Sequence, residues 1–333
     1  MSSLFAITAD DVRSAAKTIS GVAVRTPLLE YAALNERAGR RVLIKFEGAQ
    51  HTGSFKFRGA YNRLARIEEA AKVAGVVAWS SGNHAQGVAA AARLLGMPAI
   101  IVMPADAPAI KQANTKALGA EIVLYDRLTE SREEIAAALA AQRGAIMVPP
   151  FNDSFIIAGQ GTVGLEILEQ AHEAKAVLGQ VLVCCGGGGL TAGVATAIKD
   201  TNPSIDVYSV EPTAFDDTAR SLVSGQRESV AKSAASICDA LLTPTPGELT
   251  FPINQALLAG GLAVSDEQVK SAMRFAFEKL KLVVEPGGAV ALAAILHGLA
   301  PTTSLATAVV VSGANVDPTL YAAILSEGLT SAG

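Results

Sequence analysis

The chain has 333 residues, half of them hydrophobic and only 17% charged, with a formal net charge of −4. That length allows two lobes with separate cores, while the low charge excludes a disordered chain. The negative balance excludes attraction to nucleic-acid phosphates or anionic lipid, so neither a nucleic acid nor a membrane is expected as a partner.

Thr8 to Ser20 reads as a helix opened by a threonine cap, with Asp10 and Asp11 in the first turn where negative charge is favoured. Arg41 to Glu47 is rich in β-formers and reads as a strand. Ser54 is a plausible cap for a helix whose apolar face continues through Tyr61, Leu64, Ala65 and Ile67. A regular alternation follows: strand Gly75–Trp79, helix Asn83–Leu95, strand Ala99–Met103, helix Ile110–Leu118, strand Glu121–Tyr125, helix Thr129–Gln142, strand Ala145–Val148. Such alternation indicates parallel βα units. After Pro149-Pro150 come helix Thr162–Ala171, strand Val181–Cys185, helix Leu190–Lys199 and strand Asp206–Val210. Residues 212–265 read as largely irregular connection. Helices Asp266–Leu280 and Gly287–Leu296, strand Ala308–Val311 and a final helix from Pro318 complete the chain. The expected class is α/β, with residues 1–74 and 150–333 forming a large discontinuous domain and 75–149 a small one. Open α/β sheets bind ligands in crevices, which puts the site in the cleft between lobes.

Cys184, Cys185 and Cys238 are odd in number and two are adjacent in an apolar run, so they read as core thiols. His51, His84, His172 and His297 show no metal-ligand spacing with them. The N-terminus lacks a basic stretch followed by an apolar one, and no apolar run reaches membrane-spanning length, so a soluble cytoplasmic protein is expected.

Lys56 is flanked by Phe55 and Phe57 at the start of a helix. Burial between aromatics and the positive end of the helix both disfavour a charged amine. A neutral lysine amine can attack an aldehyde and hold a cofactor as a Schiff base; the alternative is a solvated surface lysine. Gly186, Gly187, Gly188 and Gly189 lie between a strand and a helix, where successive amides and the helix dipole suit a phosphate. The same residues fit G-x-G-x-x-A, with Glu211 at the end of the next strand, so a nicotinamide-dependent dehydrogenase competes on pattern while giving Lys56 no role. Ser80-Ser81-Gly82-Asn83-His84 opens a helix after a strand and suits a substrate carboxylate or, more blandly, a capping loop. Ser312 offers a hydroxyl after the last strand.

Together Ser54–Ala60, Ser81–Gly87, Ile157–Thr162, Gly186–Gly189 and Ser312–Asn315 resemble the serine/threonine dehydratase and serine racemase family, which includes hydroxyaspartate dehydratase-like members. The resemblance runs from about Ile7 to Leu325. It implies pyridoxal 5'-phosphate as cofactor, the two-lobed tryptophan-synthase-β-like fold (fold type II) and a homodimer. It implies that Lys56 bears the cofactor, Phe55 packs on its ring, Gly186–Gly189 cradle its phosphate, Asn83 meets its ring hydroxyl and Ser312 faces its pyridine nitrogen. A serine there, in place of a carboxylate, makes the ring a weaker electron sink and suits prompt loss of a β-leaving group. The substrate residues so implied are Ser80, Ser81, Gly82, Asn83 and His84, with Ser81 able to return a proton on the face opposite Lys56. Arg132 matches an arginine that reaches a second carboxylate, unless it is simply a solvated helix residue. Glu211, the carbonyl of Phe215 and Asp217 match a divalent-cation site for Mg²⁺, Mn²⁺ or Ca²⁺. The expected activity is β-elimination of L-threonine, L-serine or 3-hydroxyaspartate, with amino-acid racemisation as the alternative.

Overall fold

The computed structural model describes residues 5–80, 82–107, 109–126 and 128–327, Ala109 and Ile110 by backbone alone. The chain order is α1 (Ala9–Ile19), β1 (Leu28–Glu30), α2 (Ala32–Ala38), β2 (Val42–Phe46), α3 (Lys56–Leu64), α4 (Glu69–Lys72), β3 (Val76–Trp79), α5 (Asn83–Leu94), β4 (Ala99–Pro104), α6 (Ala109–Ala117), β5 (Glu121–Tyr125), α7 (Arg132–Arg143) and β6 (Ile146–Met147). It continues α8 (Ser154–Glu173), β7 (Leu178–Cys184), α9 (Gly189–Thr201), β8 (Asp206–Pro212), α10 (Asp217–Ser224), α11 (Thr250–Leu257), β9 (Gly260–Val264), α12 (Asp266–Phe275), α13 (Pro286–Leu296), β10 (Ala306–Val311) and α14 (Pro318–Glu327).

Two sheets result. One has the order β1-β2-β10-β7-β8-β9, parallel except for β1; the other, β5-β4-β3-β6, is parallel throughout. Central strands such as β4 and β10 are buried along their whole length, which is why they read as unbroken apolar runs and not as alternations. In the larger sheet the chain steps from β7 to β8 and β9 on one side, then returns to β10 on the other. The order reverses between β10 and β7, so a crevice opens at their C-terminal ends.

Capping explains many of the boundaries. Thr8 and Asp11 form a reciprocal capping box on α1, Ser131 caps α7, and Asp153 caps α8. The expectation that Ser54 caps the lysine helix is corrected. Ser54 is extended, bridges Gly313 across the end of β10, and leaves Phe55 to open α3. Residues 212–265 are likewise more ordered than expected, holding α10, α11 and edge strand β9. Strand β9 begins with two glycines, and a Cβ on Gly261 would stand 2.6 Å from Ala219, so glycine lets α10 pack on the strand. Helix α8 starts eight residues before the expected Thr162 because its glycines disguised it. A Cβ on Gly159 would meet Gly59 of α3 at 2.6 Å, and one on Gly161 the Gly193 carbonyl of α9 at 2.8 Å. Those glycines bring three helices into backbone contact.

Candidate active site

The crevice holds a cavity of about 240 Å³ lined from both sheets. Phe55, Lys56, Gly186–Gly189 and Ser312 come from the larger one; Ser80, Gly82, Asn83, His84 and Arg132 come from the segment carrying the smaller one. Ser81 lies outside the described residues. Glu211, Phe215 and Asp217 are not in this cavity.

Lys56 is the first residue of α3, and its Nζ donates to the Pro150 carbonyl at 3.0 Å and stands 5.2 Å from the Phe55 ring centroid. Burial lowers the amine to about 8, with the neighbouring Cys184 and Glu285 side chains acting against that fall. About a tenth of the amine is therefore neutral at pH 7, far more than for an ordinary lysine. Beside it, burial pushes the Cys184 thiol up to about 12, so this sulfur stays protonated.

The glycines fit a phosphate for a reason beyond flexibility. A Cβ on Gly187 would stand 2.4 Å from the Phe151 ring, one on Gly188 2.6 Å from Asn254, and one on Gly189 3.1 Å from Phe151. Gly188 also has φ +88, the left-handed region. Side chains there would fill the cradle or displace its wall. Behind it, α9 opens at Gly189, and its first amides have no partners within the helix.

His84 is buried, and its Nε2 lies 2.9 Å from the Val148 carbonyl. A carbonyl only accepts, so Nε2 carries the hydrogen. Burial and then the Lys56 charge lower the imidazole to about 3, leaving Nδ1 a neutral acceptor without a partner among the described residues. The Asn83 amide donates to Glu285 Oε1 at 2.7 Å, and its oxygen accepts from Asn315 at 2.7 Å. Glu285 is a site residue the sequence reading missed. It is 2% exposed and raised to about 8 by burial, with Asp239 adding to the rise. The available signal was its place, a lone acid before an uncharged helix that runs from Pro286 to Leu296.

Arg132 borders the cavity as the first residue of α7, but its side chain is half-exposed and pairs with Glu133 at 2.9 Å. A second cation was missed: Lys111 of α6 reaches across the cavity to Asp239 at 2.5 Å, both lining it. Away from the cavity, Glu211 and Asp217 are buried. Glu211 accepts from the amides of Thr218 and Ala219 at 3.0 and 2.8 Å, while Asp217 Oδ2 has no partner among the described residues. Burial raises them to about 8 and about 7. With its carboxylate occupied at the start of α10 and outside the cavity, Glu211 has no ribose to meet, and the dehydrogenase pattern fails on geometry. No helix among the described residues is long and apolar enough to cross a membrane.

The family model "Pyridoxal-phosphate dependent enzyme" matches residues 19–313. The chain is 44% identical over 315 residues to an L-threo-3-hydroxyaspartate ammonia-lyase of Pseudomonas sp, covering 95% of this chain and 97% of that one. It is 40% identical over 327 residues to the L-threonine ammonia-lyase of Thermotoga maritima, covering 98% and 80%. The structure of maize serine racemase superposes with a TM-score of 0.90 at 37% identity, covering 98% of this chain and 99% of that one. A buried amine of lowered basicity facing a side-chain-free anion cradle is the arrangement an aldehyde carrying a phosphate requires, and with the match spanning both sheets the chain belongs to the pyridoxal-phosphate dependent enzyme family.

Proposed function

We propose that the chain is an ammonia-lyase that eliminates the β-hydroxyl of a small amino acid, with 3-hydroxyaspartate, L-threonine and L-serine as substrate candidates. The observation that carries the reading is the Lys56 amine, held near a pKa of about 8 inside the cavity that also contains the glycine cradle. Bound pyridoxal phosphate supplies the electron sink that makes a Cα proton removable. Lys56 would hold the cofactor and, once displaced by the substrate amine, take that proton on Nζ; the Cβ–O bond breaks, the hydroxyl leaves as water with a proton passed on from Nζ, and a Cα–Cβ double bond forms. The released enamine takes up water to give a 2-keto acid and ammonia. Phe55, Asn83, Gly186–Gly189 and Ser312, which line the same cavity, would hold the cofactor: Phe55 its ring, Asn83 its hydroxyl, the glycines its phosphate and Ser312 its nitrogen. Ser80, Gly82 and the start of α5 receive the substrate carboxylate, with neutral His84 adding no charge there.

Arg132 is assigned to a second carboxylate, which favours hydroxyaspartate; the half-exposed guanidinium at the cavity edge supports this. Racemisation is the second reading, favoured by the match to serine racemases and assigned to Ser81. The reading further takes residues 75–149 as a small domain and a homodimer as the assembled form. Three buried thiols with no disulfide fit the cytoplasm. Glu211, the Phe215 carbonyl and Asp217 are assigned a divalent cation, supported by the unpartnered Asp217 oxygen.

The test is keto-acid formation from each of the three substrates by the native enzyme and by Arg132→Ala. Loss of one charge-assisted contact lowers kcat/KM for hydroxyaspartate by about ten- to a hundredfold, with threonine and serine changed far less. Equal losses on all three would make Arg132 structural, and absence of keto acid from all three would end the ammonia-lyase reading.

A further inference from the structure

The glycine cradle is open toward the cavity and held from behind by α11. Thr250, the first residue of that helix, is fully buried and donates its hydroxyl to the Gly187 carbonyl at 2.6 Å. The Gly247 amide donates to the same oxygen at 3.2 Å. One turn further on, Asn254 Nδ2 lies 3.5 Å from the Gly188 carbonyl, which also accepts the Ala192 amide of α9 at 2.8 Å. Thr250, Gly247 and Asn254 do not line the cavity, whereas Gly187, Gly188 and Gly189 do. Glycine at 188 is what permits this approach, since a Cβ there would stand 2.8 Å from the Thr250 hydroxyl.

The peptide plane turns this anchoring into a statement about the phosphate. In a trans peptide the C=O and the following N–H point to opposite sides, and no cis bond occurs among the described residues. With the Gly187 oxygen held on the α11 side, the Gly188 amide hydrogen is directed to the other side, toward the cavity. A run of glycines places no steric barrier against flipping that peptide. Flipped, it would present a carbonyl oxygen to an anion, and the cradle would repel what it is built to hold.

We propose that Thr250 is a positioning residue for the cofactor phosphate: its hydroxyl fixes the 187–188 peptide so that the cradle presents a donor. Thr250 acts through the loop and does not itself touch the cofactor. Because Gly247 shares the Gly187 oxygen, the segment before α11, which lines the cavity at Thr243, is tied to the cradle by the same contact. The inference rests on cofactor dependence alone and is independent of which amino acid is the substrate.

The test compares two ligands of the apoenzyme, pyridoxal phosphate and pyridoxal, which lacks the phosphate. Trp79 is the single tryptophan and lines the cavity, so quenching of its emission reports binding of either. Thr250→Val keeps the side-chain shape and removes the hydroxyl. It raises the Kd for pyridoxal phosphate by about ten- to a hundredfold, the loss that follows when a buried acceptor loses a donor. The Kd for pyridoxal stays within about twofold, and Thr250→Ser, which restores the hydroxyl, recovers most of the phosphate affinity. Thr250→Ala is read in the same way if the valine variant is not obtained folded. An unchanged Kd for pyridoxal phosphate overturns the proposal. So does equal weakening of both ligands, or a serine variant no better than valine, because either result assigns Thr250 to general packing.

Discussion

At the scale of single residues the proposed chemistry turns on one amine. Lysine in an unfolded chain titrates near 10.4, and burial brings Lys56 to about 8 in the folded one. Between those values the unfolded chain binds the extra proton, so the cost of burying this amine is present below pH 8 and fades as pH rises toward about 10.4. The kinetic counterpart is that capture of pyridoxal phosphate by the apoenzyme, followed by stopped-flow absorbance, accelerates with pH and levels off with a midpoint near 8. A midpoint above about 10 would mean that the amine is solvated. Ser81 carries a separate prediction, following from its assignment to the face of Cα opposite Lys56. Ser81→Ala abolishes inversion of serine and elimination from the D-isomer, while elimination from the L-isomer, which uses the lysine side only, persists. Chiral chromatography of the residual serine checks it, and parallel loss of all three activities would remove Ser81 from proton transfer.

At the scale of elements, the lysine helix is held by charge. Arg58, two residues after Lys56 and fully buried, donates to Glu47 at 2.8 and 2.9 Å and to Glu166 at 2.6 and 2.8 Å. Lys45 of β2 shares Glu166 at 2.6 Å, so two cations face two carboxylates between the sheet, α3 and α8. Formation of such a group contributes little net stability, since desolvation offsets the attraction, but removing one member leaves a buried charge uncompensated. Arg58→Met therefore costs about 3–5 kcal/mol of unfolding free energy in urea titrations. Arg58→Lys does not restore it, because an ammonium cannot bridge two carboxylates with paired donors. A loss under about 1 kcal/mol would show that the carboxylates find other partners.

At the scale of the whole molecule, the site exists only where two sheets meet, and few polar contacts cross the cavity itself. Asn83 to Glu285 and Lys111 to Asp239 are two of them. Beyond the cradle, β8 runs beside β7 and carries Glu211 near its end, facing Asp217 at the start of α10, two buried acids that repel each other. The cation proposed for these acids would brace the strand next to the cradle without touching the reacting atoms. Exhaustive chelation is expected to lower the melting temperature and the rate while the visible band of the bound cofactor is retained, and Mg²⁺ to reverse both. Asp217→Asn removes the response to Mg²⁺. Unchanged melting and rate in metal-free protein would delete this site.

Much of this was legible in the residues themselves because the signals are local. Parallel strands buried on both faces must be apolar runs, so β3, β4 and β10 stand out, and the lysine between two aromatics and the glycines at a strand-to-helix junction carry their signal within a few positions. What stayed hidden depends on distant neighbours. Helix α8 was obscured by glycines whose purpose is contact with α3 and α9, and β9 by glycines that admit α10. Glu285 looked like an ordinary acid until folding removed its water, and Lys111 and Asp239, 128 residues apart, met only when the two sheets faced each other across the cavity. Composition and spacing therefore determined which groups the chain carries. Desolvation and backbone approach, which arise only in the folded state, decided which of them form one site and in what protonation state.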